Sequence, residues 1–387
     1  MPAALSTVDI LDRLIAFDTI SANSNLALID WVADHLDGLG VPVRLVRDAT
    51  GTKANLWATV GPDDRGGVVL SGHTDVVPVA EQPWTSDPFT LVRRDDRLFG
   101  RGTADMKGFV ALCIAAVPDL LARRLRTPVH LGFTYDEEIG CFGARTLVAD
   151  VIGNLPRPRL AIIGEPTEMR VVNAHKGGCR LRCTIRGVAA HGSQPQLGAN
   201  AIVYAAEVVR FVRDLDREFR EAADPDSPFV PPFTSFNVGT IQGGVASNVV
   251  APSCEVGFEF RAMPGTDPDA IVARVRGFLT AELLPRLKAE HPDADIALVK
   301  TIDIQPLVPD PESEAEQVVR RLTGANASHV VSFGTEAGVY QANGIPAVVC
   351  GPGSIDQAHK PDEFIALDQL AKGERFLRAV ADWAATG

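Results

Sequence analysis

Short apolar runs in this chain end repeatedly in histidine or acidic residues. VVLSGHTDVVP, residues 68–78, has a histidine and an aspartate two positions apart where an apolar run stops. The residues of this kind with the clearest chemistry are His73, Asp75, Asp105, Glu137, Glu138, Glu165 and His359. Imidazoles and carboxylates without thiolates are donors that suit zinc, with cobalt or manganese as substitutes. Five such ligands fit two metal ions about 3.5–4 Å apart if one carboxylate bridges them, an arrangement used for hydrolysis.

The spacing of these residues indicates separate roles. Residues two apart on an extended chain point the same way, so Asp75 can orient His73 through its second ring nitrogen. Asp105 lies in GRGTADMKG, a glycine-bounded turn before a helix, and could bridge two cations. Glu137 and Glu138 are adjacent and must diverge, so one can be a ligand and the other a general base. Spacing alone leaves open which is which.

Each motif also has an ordinary structural explanation. The HxD pair could be a capped turn, Glu137 and Glu138 a solvated loop, Glu165 a turn residue before proline, and His359 a surface histidine. The recurrence of all of them after apolar runs in one chain favours a shared site.

The segments that must position these residues alternate between short apolar strands and helices. This alternation predicts an α/β fold with a mixed, mostly parallel sheet flanked by helices. Functional groups in such sheets lie beyond the carboxyl ends of the strands, which is where these residues fall. The middle of the chain has a β-α-β-β-α order and predicts an inserted α+β domain. The predicted division is residues 1–176 and 293–387 for the main domain and 177–292 for the insert.

Composition excludes several classes of protein. The chain has 387 residues and a formal net charge of −12, which argues against nucleic acid or an anionic membrane as a partner. No apolar stretch approaches the roughly 18 residues of a membrane span, and the N-terminal segment MPAALSTVDILDRLIAF does not resemble a signal peptide. The six cysteines show no CxxC pair, so we expect free thiols and a cytoplasmic protein.

Five motifs together resemble one known family. SGHTDVVP, GRGTADMKG, TYDEEIG, IIGEPT and AHKPDEF, in this order over essentially the whole chain, are similar to the zinc-dependent deacylase and exopeptidase family. Its members include aminoacylases, desuccinylases and glutamate carboxypeptidases. The resemblance implies a zinc-exopeptidase-like catalytic domain that holds two zinc ions and an inserted lid domain through which a homodimer forms.

The resemblance also implies roles for individual residues. His73, Asp105 and Glu165 would hold one metal, and Asp105, Glu138 and His359 the other. Asp75 would orient His73, and Glu137 would be the general base.

In the inserted domain, His191 in AAHGS is similar to a histidine that stabilises the oxyanion, commonly from the partner subunit. Gly192 replaces the serine that many relatives carry beside it. Asn248 and Arg261 resemble residues that bind a substrate carboxylate, although a turn asparagine and a surface arginine would explain them as well.

One further motif indicates a branch of the family. Gly334–Gly338, GTEAG, resembles the members that act on N2-acetyl-L-ornithine, a step of arginine biosynthesis, rather than the desuccinylases. Glu336 could pair with the ammonium group of that small-molecule substrate, orient a ligand, or be structural. The alternatives are a related N-acyl-amino-acid deacylase, a succinyl-diaminopimelate desuccinylase, a dipeptidase, or a metal-dependent binding protein without turnover.

Overall fold

The structure is a computed structural model that describes residues 5–387. The first four residues of the N-terminal segment discussed above lie outside the described residues. The chain divides into two compact units. The first comprises Met1–Ala174, Leu307–His329 and Thr335–Gly387, and the second comprises His175–Pro306 and Val330–Gly334.

The described part contains ten α-helices and fifteen strands. The helices are α1 (Thr7–Ile15), α2 (Leu26–Gly38), α3 (Lys107–Leu121), α4 (Phe142–Asn154), α5 (Ala201–Glu221), α6 (Pro268–Gly277), α7 (Leu284–Glu290), α8 (Glu314–Thr323), α9 (Ala337–Ala342) and α10 (Leu367–Thr386). The strands are β1 (Val43–Arg47), β2 (Ala54–Val60), β3 (Val68–His73), β4 (Val92–Arg94), β5 (Arg97–Phe99), β6 (Val129–Thr134), β7 (Leu160–Pro166), β8 (Val172–His175), β9 (Gly177–Arg186), β10 (Ser235–Gly243), β11 (Ser253–Ala262), β12 (Asp295–Ile304), β13 (His329–Val331), β14 (Ala347–Gly351) and β15 (Phe364–Ala366).

An eight-stranded sheet organises the first unit, in the order β1-β2-β6-β3-β7-β14-β8-β13. The central strands β6, β3, β7 and β14 are parallel, whereas β1, β2 and β8 pair antiparallel to their neighbours. The predicted mixed, mostly parallel sheet is therefore confirmed. A small sheet, β15-β5-β4, completes this unit.

The central strands are buried along their whole length because helices cover both faces of the sheet. Val68 and Leu70 of β3 belong to one large apolar core together with residues of α1, α2, α3, α8 and α10. Val69, one position away, is equally buried but lies outside that core, as expected for side chains that alternate between faces. Helices α4 and α9 pack against each other and against strands of the sheet. Continuous apolar strands are typical of a sheet covered in this way.

The second unit is a four-stranded antiparallel sheet, β10-β11-β9-β12, with its own apolar core against α5, α6 and α7. The predicted insert, 177–292, ended too early. Strand β12 pairs antiparallel with β9 over Asp295–Ile304, so the second unit continues to Pro306. The sequence alone does not reveal this boundary, because the partner of β12, strand β9, lies more than a hundred positions earlier in the chain.

A membrane-spanning helix is absent from residues 5–387: none of the helices there combines the required length and apolar character.

A glycine in β14 tests how tightly the sheet is packed behind the strand ends. A Cβ added at Gly351 would lie 2.0 Å from the carbonyl oxygen of Gly164 in β7, a backbone atom that cannot move aside alone. We expect Gly351→Ala to lower the free energy of unfolding by about 1–3 kcal/mol, the usual range for overpacking.

The matched control is the same substitution at Gly153 in α4, where an added Cβ meets nothing within 4 Å. Gly153→Ala should instead raise the free energy of unfolding by about 0.5–1 kcal/mol, because alanine is favoured in helices. Denaturant unfolding measures both variants. Equal unfolding midpoints for the two would contradict the packing described here.

Candidate metal centre

Neighbouring strands bring three of the predicted ligand segments to one edge of the main sheet. His73 is the last residue of β3, and Glu165 lies near the end of β7, which pairs parallel with β3. Glu137 and Glu138 follow β6, which pairs parallel with the other side of β3. Because parallel strands end at the same edge, these side chains converge.

His73 is oriented with one ring nitrogen toward the backbone carbonyl of Asp75 and the other toward carboxylates. Its Nδ1 lies 2.9 Å from the carbonyl oxygen of Asp75. A carbonyl can only accept a hydrogen bond, so Nδ1 carries a proton, and in the neutral ring, which is the form that binds a metal ion, Nε2 has the free lone pair. Nε2 lies 3.0 Å from Asp105 Oδ1 and 3.8 Å from Glu165 Oε1. The free nitrogen therefore faces two potential co-ligands.

Asp105 lies between the imidazoles of His73 and His359, with one carboxylate oxygen directed toward each ring. Oδ1 is 3.0 Å from His73 Nε2, and Oδ2 is 3.5 Å from His359 Nε2. His359 Nε2 is also 3.0 Å from Glu138 Oε2. The structure thus places Asp105 between His73 and His359, the two histidines that the prediction assigns to different metal ions.

Asp75 differs from its predicted role. Its carboxylate Oδ1 is 3.6 Å from His73 Nδ1, so the carbonyl of the same residue is the closer partner. The carboxylate instead accepts hydrogen bonds from the N–H groups of Glu137 at 3.1 Å and Glu138 at 3.3 Å, and from Ser21 Oγ at 2.6 Å. Asp75 therefore holds the turn that carries the paired glutamates. Residue alternation predicts side-chain direction only within a strand, and β3 ends at His73.

Burial and mutual repulsion shift the pKa values of these acids. Burial, with the Asp105 carboxylate next in importance, raises the pKa of Glu165 well above its usual range and that of Glu138 to about 7. Burial also raises the pKa of Glu137.

The pKa values of the two imidazoles are raised as well, in their case by the neighbouring carboxylates. Hydrogen bonds to Asp105 and Glu138 raise the pKa of His359 to about 10. Burial lowers the pKa of His73, but Asp105 and Glu165 outweigh burial and raise it well above its usual range.

The raised pKa values of the buried carboxylates indicate that these residues fit a metal ion. Buried carboxylates that repel each other around two imidazoles are stabilised in their charged form by a divalent cation. Within residues 5–387, two groups of three residues could each hold a metal ion, because the three ligand atoms of each group lie within 4.8 Å of one another. The groups are His73, Glu137 and Glu165, and His73, Asp105 and Glu138. Nitrogen and oxygen donors in these numbers fit zinc.

Glu137 lies within the ligand cluster. Its side chain is buried beside the ligands, and its Oε1 lies 3.5 Å from the Cys141 thiol, which donates to it. Proximity alone does not separate a ligand from a base, because Glu137 is itself a member of one of the two groups.

Glu336 does not lie where a substrate ammonium could reach it. It is fully buried, and its carboxylate accepts hydrogen bonds from Thr134 Oγ1 and, at 3.2 Å, from Ser71 Oγ. Burial raises its pKa to about 7. Of the three roles considered from the sequence, this geometry supports the structural one and argues against direct substrate contact.

The second unit brings His191 and Asn248 together but not Arg261. The N–H of Gly192 donates to the carbonyl of Asn248 at 2.7 Å, and His191 and Asn248 are both exposed. A Cβ at Gly192 would lie 2.8 Å from that carbonyl oxygen, which explains the absence of a larger residue here. Arg261 lies near the far end of β11 from Asn248, opposite Gly178 of β9.

Two residues important to the geometry were missed from the sequence. Ser21 lies in the loop between α1 and α2 and reaches Asp75 across 54 positions. Glu363 accepts hydrogen bonds from the loop that carries Asp105. An acid within the AHKPDEF motif was a visible signal for Glu363, whereas nothing near Ser21 marked it.

The sheet, the ligand cluster at its edge and the inserted unit define an α/β protein with a candidate dinuclear metal centre. A profile of Peptidase family M20/M25/M40 matches residues 69–383. An acetylornithine deacetylase from Proteus mirabilis is 38% identical over 369 residues, which are 92% of this chain and 91% of that protein. The chain belongs to Peptidase family M20/M25/M40, which confirms the resemblance in its motifs and makes it a hydrolase of that family.

Solved structures agree on the fold. An M20 family metallo-carboxypeptidase from Sulfolobus solfataricus matches with a TM-score of 0.78 and 17% identity, over 99% of this chain and all (100%) of that one. A dinuclear metal-binding peptidase of the M20 family from Bacillus subtilis matches with a TM-score of 0.64 and 17% identity, over 97% of this chain and 96% of that one.

Proposed function

We propose that this protein hydrolyses the N-acetyl amide of N2-acetyl-L-ornithine to ornithine and acetate, with two zinc ions per chain. The observation that carries the chemistry is the position of Asp105, with one carboxylate oxygen facing each imidazole. The choice of substrate is supported by the acetylornithine deacetylase that is 38% identical over 92% of this chain.

The ligands divide into two sets that share one residue. His73, Asp105 and Glu165 would hold one zinc ion, and Asp105, Glu138 and His359 the other. Bound zinc supplies a Lewis acid for the acetyl carbonyl and lowers the pKa of water. Cobalt or manganese could replace zinc with this donor set.

Glu137 moves the proton in this reaction. One of its carboxylate oxygens takes a proton from the attacking water as the water oxygen bonds to the acetyl carbon. The carbon–nitrogen bond then breaks, and Glu137 returns the proton to the leaving amine nitrogen. Its turn is held by the Asp75 carboxylate, which accepts the N–H of Glu137 at 3.1 Å.

His191 is proposed to stabilise the oxyanion that forms on the acetyl oxygen. Its Nδ1 accepts the N–H of Ser193 at 3.2 Å, so the neutral ring carries its proton on Nε2. That N–H is the donor required by an oxyanion. Arg261 is proposed to bind the substrate carboxylate, and its side chain remains 34% exposed for this role. Asn248, the other residue predicted to bind that carboxylate, lies beyond the opposite end of β11 beside Gly192, so the two residues of one chain do not bind it together.

We propose a homodimer formed through the second unit. Strand β10 is an edge of its sheet, and large apolar side chains at Leu197, Val203, Ile241 and Val245 are between 52% and 71% exposed in the same unit. Exposed apolar surface next to an open strand edge favours association. Sedimentation of the full chain tests this: a dimer is expected, and Ile241→Lys should shift it toward monomer.

A cytoplasmic location is also proposed. The six cysteines are all free and buried, as is typical of proteins kept in a reducing compartment.

A substrate panel tests the proposed reaction. We expect the highest kcat/KM for N2-acetyl-L-ornithine, ahead of N-acetyl-L-methionine, N-succinyl-L,L-diaminopimelate and dipeptides. A higher value for another member of the panel would reassign the substrate. Binding of these compounds without hydrolysis by the zinc-loaded protein would instead indicate a binding protein.

A further inference from the structure

A buried carboxylate beneath the metal ligands is surrounded by donors from one loop. Glu363 is 1% exposed. Its Oε1 accepts the N–H groups of Ala104 at 2.9 Å and Asp105 at 3.1 Å. Its Oε2 accepts the N–H of Gly102 at 3.0 Å and Arg101 Nη1 at 2.8 Å. One side chain therefore holds the backbone of the loop that presents Asp105.

The same network reaches the segment that presents His359. Glu363 follows His359 by four residues, and Arg101 Nη1 also donates to the Lys360 carbonyl at 3.2 Å. Arg101 Nη2 donates to Gln82 Oε1 at 2.6 Å, and Gln82 Nε2 donates to the carbonyl of His359 at 3.2 Å. The segments that carry Asp105 and His359 are therefore both connected by hydrogen bonds to the Arg101–Glu363 ion pair.

The hydrogen bonds to Arg101 and Glu363 matter most for those ligand residues that secondary structure and packing restrain least. His73 and Glu165 belong to strands of the main sheet, whereas Asp105 and His359 lie in loops. The His359 side chain is 56% exposed, against 1% for His73. Packing alone therefore restrains His359 much less than it restrains His73.

We propose that Glu363 is a positioning residue that sets the separation of Asp105 and His359, and through it the affinity of the second metal position. This rests on the proposed function, in which Asp105, Glu138 and His359 hold that metal. Because Glu363 is buried and fully occupied by four donors, it acts through these ligands and does not touch the substrate. Partners of this kind typically change metal affinity by about 10–100-fold when they are replaced.

The test is a calorimetric titration of the chelator-stripped full chain with Zn²⁺ alone, for wild type and Glu363→Gln. Glutamine keeps the shape of the side chain but turns an NH₂ group toward donors that need an acceptor. We expect the weaker of the two binding steps to lose about 10–100-fold in affinity, and the stronger step to lose less. Asp105 contributes to both steps, but His359 contributes only to one.

The matched control is Asp362→Asn, one position earlier. Asp362 accepts hydrogen bonds from Thr85 on the exposed side of the same segment, at 2.9 Å from both N and Oγ1. Its φ of 53° is one that asparagine tolerates. Zinc binding by this variant should match wild type.

A second variant keeps the proposal testable if Glu363→Gln does not fold by circular dichroism. Gln82→Leu removes the hydrogen bond to the His359 carbonyl but leaves the buried Arg101–Glu363 ion pair in place. It should weaken the weaker zinc-binding step by a smaller factor than Glu363→Gln does. Unchanged affinities for both steps in the folded variants would overturn the role of Glu363. Fewer than two zinc ions bound by wild type would overturn the proposed function instead.

Discussion

Glu137→Gln should lower kcat for N2-acetyl-L-ornithine by about 10²–10⁴-fold, the usual contribution of a general acid–base group. The amide has nearly the shape of the carboxylate but cannot take a proton from water. The ligands His73, Asp105, Glu138, Glu165 and His359 are unchanged, so zinc content should equal that of wild type. Steady-state kinetics and metal analysis on the same preparation measure both quantities.

A carboxylate outside the cluster provides the control. Glu168 is exposed, follows the strand that carries Glu165, and pairs with Arg170 at 3.0 Å. Glu168→Gln should leave kcat and zinc content unchanged. Near-normal turnover in Glu137→Gln would show that another group moves the proton.

Asp105→Asn should remove hydrolysis to a similar or greater extent, but by a different route. Asparagine lacks the negative charge. It also replaces one of the two carboxylate oxygens, which face His73 and His359, by an NH₂ group that cannot bind a cation. Loss of a residue that only supports a ligand lowers metal affinity by about 10–100-fold. Because Asp105 is itself a proposed ligand, its replacement should lower zinc affinity by more than this. Metal analysis after gel filtration should find less than half of the wild-type zinc.

The control for this substitution is Asp95→Asn, in the exposed turn between β4 and β5. Asp95 has a φ of 52°, which asparagine tolerates, so the variant should fold and bind zinc as wild type does. Full zinc content in Asp105→Asn would contradict its position between the two ligand sets.

The main sheet and the ligand cluster could be predicted because both depend on short-range patterns. Strands β3, β6 and β7 are continuous apolar runs, and the parallel arrangement places whatever follows them at one edge. His73, Glu138 and Glu165 therefore lie at the same edge because their strands are parallel, and the alternation of strands and helices already predicts parallel strands.

Features that depend on distant pairing were not predictable in the same way. Nothing in the sequence of the loop between α1 and α2 indicates that Ser21 donates a hydrogen bond to Asp75. The contacts of Glu363 with residues 101–105 span about 260 positions of the chain and depend on the loop conformation. Asp75 shows the same limit, because its direction is set by the turn after β3 and not by strand alternation.

Zinc-dependent recovery of hydrolysis is the measurement that tests the central claim most directly. The full chain is stripped with a chelator, and hydrolysis of N2-acetyl-L-ornithine is followed as Zn²⁺ is added back. We predict no measurable hydrolysis in the stripped protein and full recovery as zinc approaches two ions per chain. Stripped protein that hydrolyses the substrate as fast as the untreated protein would contradict a metal centre at Asp105.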